Sequence, residues 1–534
     1  MRSSLRLAVA AAVVASVTFA VAPVTEAAAK AKAGAACTKR GATQTVGTKK
    51  FTCVTKGKKL VWNAGKTVVV APKPSATPAP PVSVVDFSTT FNTDDGYKTL
   101  FNGPCANDPN IPAVWSAVQS YFMSNNRCAG QLQIGRYQLG SKRPTTAISD
   151  ATAFNDTAMC KLVTPRDSRS NLGFTTVEEG RNRFADQHRY PSPNTVIQLI
   201  PIYADDTAKP VNSPAKDYAH YLQFVKDWID YSSDFGSNAA VRIPDNYIKM
   251  AGKLADYQLL HTNNWNTAGH VRFNADVVKA ADPVIDFTGA NIVFVVPPPN
   301  TDAGVFGQAA LGSMQTNEGY VAVSSTQYGA LAANPQNSKY TNLGHPFWWI
   351  HELFHAGYGF DDHYGDTRND VSTEYGMGWM TMMTPWGGDL TTWEKWILGF
   401  MRDSQVRCVT SSSTSTHWIV PSTVNSQLPK LTVVPVSSTK AILVESLRPA
   451  GLYYKHPAKS QGVIVYELDL MKDSHGMGMK LSLPIGRQVN LNGPFFMADV
   501  PLKQGEATEL LGRRVTVVES GTFGDVVRVE KVAA

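Results

Sequence analysis

The stretch His351-Glu352-Leu353-Phe354-His355 constrains this chain more than any other. On an α-helix, two histidines four residues apart lie on one face, one turn apart. Both imidazoles can then reach one metal ion, with Glu352 beside them as a base for a metal-bound water. The preceding Trp348-Trp349-Ile350 is apolar, which places such a helix in a domain core. A helix with two surface histidines and a solvated glutamate would fit the same five residues. The continuation argues for a metal: Gly357 and Gly359 end the helix, and Asp361, Asp362 and His363 follow as candidates for a third ligand.

At 534 residues, with 43% hydrophobic and 17% charged residues, the chain can build two or more globular units. It opens as a secretory leader does, over 1–29. Arg2 and Arg6 precede an apolar run at 7–22, and Ala27-Ala28-Ala29 offers a small-residue cleavage site. Nothing later reaches spanning length, so no transmembrane segment is expected after removal of the leader. Six cysteines suit an oxidising compartment: Cys37 with Cys53 and Cys105 with Cys128 are plausible local pairs, which leaves Cys160 with Cys408. The expected location is extracellular, with or without attachment to the cell envelope.

Residues 30–68 form a small Cys-paired module with ten Lys and Arg between Lys30 and Lys66 and no acidic residue. Removing these ten, together with Arg2, Arg6 and Glu26, from the totals of 50 basic and 43 acidic residues leaves 38 and 42. The net charge of +7 therefore belongs to the module, and the rest of the chain is slightly acidic. The module could hold an anionic polymer of the cell envelope, or its charge could simply be solvated. Nucleic-acid binding as the main function is not supported. Residues 69–85 are a Pro/Ala-rich spacer that cannot build a core.

The run at 195–202 reads as a buried strand, and Ser213-Pro214 opens a helix whose apolar face carries Tyr218, Tyr221, Leu222, Val225, Trp228 and Ile229. Further helices are expected over 245–260 and 276–281. The continuous apolar run 292–296 reads as a central strand and 319–324 as an edge strand able to pair with an extended substrate. From about 405 onward, Ser/Thr-rich turns alternate with short β-type segments, as in a β-sandwich.

Two downstream stretches are more specific: Gly376-Met377-Gly378-Trp379-Met380-Thr381-Met382, and Trp393-Glu394-Lys395-Trp396-Ile397-Leu398-Gly399-Phe400. With the His-Glu-His helix and its glycine turn, they resemble the secreted zinc metallopeptidases of the immune inhibitor A family. These are metzincin-like enzymes whose pattern is H-E-x-x-H with a Gly-x-x-Asp continuation, then Gly-x-Trp-x-x-Met, then Trp-x-Lys-x-x-Leu-Gly. The resemblance spans roughly 195–400 and is strongest from about 345. It implies zinc held by His351, His355 and an acidic third ligand, Glu352 as general base, and Met382 as the methionine of a turn beneath the site.

The spacing departs from the family at one point, where Tyr358 stands between two glycines. Counting without a gap makes Asp361 the third ligand. One inserted residue makes it Asp362 and also aligns Tyr364 with a tyrosine common in the family, so Asp362 is preferred. His363 is a further candidate. Glu374, 19 residues after His355, sits near the ligand position of thermolysin-like enzymes, but Gly378 replaces the acidic partner found there. His363, Tyr364 and Tyr375 are candidate helpers at the oxyanion or substrate. The acidic pairs Asp205-Asp206 and Asp361-Asp362 are candidates for structural calcium.

The expected fold is thus an α/β (α+β) metzincin-like catalytic domain over 86–404, with 86–190 as a pro-segment or accessory part. An all-β, sandwich-like domain over 405–534 follows it, and the basic module precedes it. The expected function is zinc-dependent endopeptidase action on protein or peptide substrates. The rival readings are a catalytically silent envelope-binding protein on a protease scaffold and a zinc amidase acting on cell-wall peptides.

Overall fold

The computed structural model describes residues 86–87 and 97–99 and most of 31–67, 133–174, 195–259, 268–325, 346–363 and 376–532. The expected leader and linker lie outside the described residues, as do Cys105, Cys128, Asp361, Tyr364, Glu374, Tyr375 and Trp379. The chain divides into two compact units, Met1–Val82 and Ser83–Ala534. Strands dominate, helices are few, and the protein is a mixed α/β structure with several sheets. Among the described residues no helix is long and apolar enough to cross a membrane.

In the first unit, β1 (Thr43–Val46), β2 (Lys49–Lys56), β3 (Lys59–Trp62) and β4 (Lys66–Thr67) form one antiparallel sheet. Cys37 is bonded to Cys53 across 16 residues, and Phe51 and Cys53 are the buried positions of β2. A module this small has little core, so the crosslink replaces what burial would otherwise supply.

The second unit is layered. A six-stranded sheet runs β6-β5-β8-β10-β9, with β7 also paired to β5. These are β5 (Val196–Tyr203), β6 (Ala240–Arg242), β7 (Ile248–Lys249), β8 (Ile292–Val296), β9 (Leu311–Thr316) and β10 (Gly319–Ser325). All pairings are parallel except that of β9 with β10. The run Ile292–Val296 is fully buried because both faces of the sheet are covered. Ile292, Phe294 and Val296 face α1 (Pro214–Ser232) and α3 (Pro346–Tyr358), while Val293 and Val295 face α2 (Ala268–Ala281). Ser213 caps α1 by accepting from the Lys216 N–H, with Pro214 in the first turn.

Three local expectations are corrected. No α-helix forms over the described part of 245–260: Ile248–Lys249 pairs with β5 as β7, Gly252 takes φ +73°, and the Asp206 carboxylate takes the N–H groups of Leu254 and Ala255 to start a 3-10 turn at Leu254–Tyr257. The short helix at 276–281 begins eight residues earlier, at Ala268. Its buried stripe includes His270 and Asn274, polar residues that hide the apolar period. Finally, β10 is interior to the sheet, and the edge is β9, which returns antiparallel beside it.

The chain from Val406 onward forms a five-stranded sheet and a four-stranded one. The first runs β11-β13-β14-β15-β16: Val406–Cys408, Leu431–Pro435, Lys440–Leu447, Gly462–Asp469 and Met479–Leu481. The second runs β12-β19-β18-β17: Ser415–Ile419, Gly524–Lys531, Arg513–Gly521 and Ala507–Leu510. Ile442, Val444, Val463 and Val465 pack with Val515, Val517, Val527 and Val529 between the two sheets. The alternate residues Ala441, Leu443, Ile464 and Tyr466 belong to the same core as Trp349, Phe354 and Trp393. Residues on both sides of 405 therefore share one hydrophobic core. Cys160 is bonded to Cys408 in the first residues of this β region, a separation of 248.

One buried carboxyl makes this shared core sensitive to pH. Glu445 accepts from the Tyr466 hydroxyl at 3.0 Å and the Thr392 N–H at 3.2 Å, and burial lifts its pKa to about 7. A carboxyl raised in the folded state stabilises fully below its unfolded pKa, roughly 4.5, and that contribution is lost as pH rises through about 7. In Glu445→Gln the loss of thermal stability between pH 5 and pH 8 should shrink by about 1–3 kcal/mol, measured by denaturation at both pH values. An unchanged pH dependence would remove Glu445 as its source.

Candidate metal centre

Helix α3 is oriented by its apolar side. Trp349 stacks on Tyr218 of α1 and Phe294 of β8, with ring centroids 5.8 and 5.1 Å apart, and Phe354 meets Trp228 edge-on. Fixing positions 349, 350, 353 and 354 in the core turns 351 and 355 together to another side of the helix. The helix stops at Gly359, where φ is +71°, a conformation that favours glycine. There the chain reverses, and it brings Asp362 back beside the two histidines.

His351 Nε2 and His355 Nε2 lie 2.9 Å apart, and Asp362 Oδ1 is 3.2 Å from the first and 3.1 Å from the second. Among the described residues, these three are the one group of His, Cys, Asp and Glu side chains whose ligand atoms converge closely enough to hold a metal ion. Tetrahedral ligands about 2.0–2.2 Å from a zinc ion would sit roughly 3.3–3.5 Å from one another. The observed separations are slightly shorter, and two imidazoles with one carboxylate are donors that suit zinc.

The outward nitrogens are committed. His351 Nδ1–H donates to the Met382 carbonyl at 2.9 Å, and His355 Nδ1–H donates to the Phe360 carbonyl at 2.6 Å. With Nδ1 committed outward, Nε2 is the atom each ring turns to the centre. The Gly359 carbonyl is held by Asn171 Nδ2–H at 2.7 Å, which steadies the turn carrying Phe360.

Electrostatics tie the three side chains together, and an ion bound by them would displace the proton on His355 Nε2. Burial opposes a charged Asp362, but the charge on His355 and hydrogen bonds from both imidazoles hold its carboxyl well below the usual range. Burial also works against a charged His355, yet Asp362 and then Glu352 lift it to about 10. Burial raises Glu352, offset in part by His355 and His351, and its Oε2 is buried with no hydrogen-bond partner. An orphaned carboxylate oxygen beside three convergent ligands is costly unless something else approaches it.

Of the described candidates for the third position, Asp362 is brought to the histidines. His363 faces elsewhere, with its Nε2 3.1 Å from Glu394 Oε1, both side chains being buried. Met382 contributes its main-chain carbonyl to His351, besides a fully buried side chain. Asp205 pairs with Lys249 at 3.5 Å and Asp206 caps the 3-10 turn.

Sequence reasoning missed the residues that hold the Met382 turn. Asp389 and Tyr453 do so through hydrogen bonds: the Met382 N–H donates to the Asp389 carbonyl, and the single Tyr453 hydroxyl proton is shared between the carbonyls of Met380 at 2.8 Å and Asp389 at 3.0 Å. Glu394 Oε2 accepts from Thr381 and from the Thr391 N–H and hydroxyl, closing a capping box at the start of α4 (Thr392–Ile397). The Thr391-x-x-Glu394 spacing was the available signal for that box. No model of a known protein family matches this chain, and no curated protein matches it.

Proposed function

We propose that this chain is a secreted, zinc-dependent endopeptidase of metzincin type, similar to the immune inhibitor A family. The observation that carries the reading is the convergence of His351, His355 and Asp362 beside a buried Glu352 with one unpartnered oxygen. Zinc, when bound, supplies a Lewis acid for the scissile carbonyl and lowers the pKa of a water molecule. His351, His355 and Asp362 hold the ion, and the Met382 and Phe360 carbonyls orient the imidazoles. Glu352 accepts the proton of the attacking water and returns it to the leaving nitrogen. Among the described residues β9 is an edge strand, along which an extended peptide could lie. The bonded pairs Cys37–Cys53 and Cys160–Cys408 suit an oxidising, extracellular setting.

The purified protein should contain one zinc per chain and cleave casein in a chelator-sensitive manner. Asp362→Ala should lose most of the metal, whereas His363→Gln should retain it, because His363 packs against Glu394 rather than the cluster. Metal retained by Asp362→Ala and lost by His363→Gln would reverse the ligand assignment. Hydrolysis of wall peptides but not casein would favour an amidase.

A further inference from the structure

We propose that the outer face of the N-terminal sheet binds a linear phosphate-bearing polymer, as found among anionic polymers of cell envelopes. Strand β2 divides its side chains between two faces. Phe51 and Cys53 are buried on one, opposite the half-buried Leu60 and Trp62 of β3, while Lys50, Val54 and Lys56 are exposed on the other. The register places Lys66 directly opposite Lys50 and Lys59 directly opposite Lys56. Cross-strand partners share a face, so four exposed lysines stand in two like-charged pairs on one surface. Thr43 and Thr45 lie on the same face through their pairing with Thr52 and Lys50.

Like charges directly opposite each other destabilise a sheet. The region between Lys30 and Lys66 has no acidic residue to relieve them, and a bound polyanion would do so. The two pairs are six residues apart along β2, roughly 20 Å. That is too far for one small anion but suits a chain carrying several. The aromatic residues, Phe51 and Trp62, lie on the opposite face, so this surface has neither a stacking platform for bases nor an anchor for a lipid interface. What it offers is ammonium groups and hydroxyls, which recognise phosphates irrespective of what links them. This inference does not depend on the proposed peptidase activity.

The test uses the full mature chain and long-chain inorganic polyphosphate. Binding should weaken with salt, with a slope near −3 in log K against log salt for four lysines. A variant carrying Lys50→Gln, Lys56→Gln, Lys59→Gln and Lys66→Gln should lose about 10²-fold in affinity at low salt and most of that slope. A control with the same charge removed from the body, Lys209→Gln, Lys253→Gln, Lys472→Gln and Lys531→Gln, should bind nearly as the parent does. Casein hydrolysis should be the same in all three proteins, which separates this result from any failure of the enzymatic reading. Equal loss in the control would reduce the effect to net charge and overturn the proposal. So would the absence of binding, equal binding to phosphatidylglycerol vesicles, or clearly tighter binding to single-stranded DNA of matched charge.

Discussion

Glu352→Gln is expected to keep one zinc per chain and to lose about 10²–10⁴-fold in peptide hydrolysis. The glutamine has the size of the residue it replaces and can still occupy the buried site beside His351 and His355, but it cannot take a proton. None of the three ligand atoms belongs to residue 352, so the ion should be held as before. Glu352 is also buried at a cost, with its pKa raised by desolvation and one oxygen left without a partner. The neutral amide removes the cost of burying charge, so Glu352→Gln should be at least as resistant to thermal unfolding as the parent. Loss of activity with unchanged metal and unchanged or greater stability is the signature of a functional carboxylate. Full activity in the variant would eliminate Glu352 as the base, and loss of zinc would mean that Glu352 takes part in holding the ion.

Legibility followed the range of the interactions. The helix carrying His351 and His355 was readable because its signal lies within one turn, and the strand at 292–296 because five apolar residues in a row fit a sheet covered on both faces. Which strand forms the sheet edge depends on pairing: β9 and β10 are neighbours in sequence, and only the docking of β10 on β8 decides which lies inside. The missing helix at 245–260 was lost to a carboxylate forty-eight residues away, Asp206, which no periodicity reveals. At Gly388 an added Cβ would stand 2.1 Å from the Leu452 carbonyl, a constraint set by a distant segment. The charged residues of 389–395 were the least readable. Asp389, Glu394 and Lys395 look like the solvated side of a short helix, yet all three are buried, because α4 lies between the Met382 turn and the five-stranded sheet.

Lys395→Met should therefore destabilise the protein by about 3–5 kcal/mol, far more than a surface lysine could. Lys395 Nζ lies 2.5 Å from Asp389 Oδ2, and both side chains are almost fully buried. Asp389 Oδ1 accepts from the Ser232 hydroxyl at 2.6 Å and the Leu390 N–H at 2.8 Å. Burial raises the Asp389 pKa despite these partners, so removing the lysine leaves a carboxyl that must ionise in the core or take up a proton. Lys395→Met with Asp389→Asn removes the uncompensated charge, and the pair should recover at least half of the lost stability in a double-mutant cycle. The catalytic consequence follows from the chain of hydrogen bonds. The Asp389 backbone carbonyl holds the Met382 N–H, and the Met382 carbonyl holds His351. Lys395→Met should therefore lower hydrolysis and zinc affinity even well below its unfolding temperature, while the double variant recovers both in part. A variant that unfolds earlier but is fully active and fully metallated when folded would show that the buried pair supports the core without orienting the histidine.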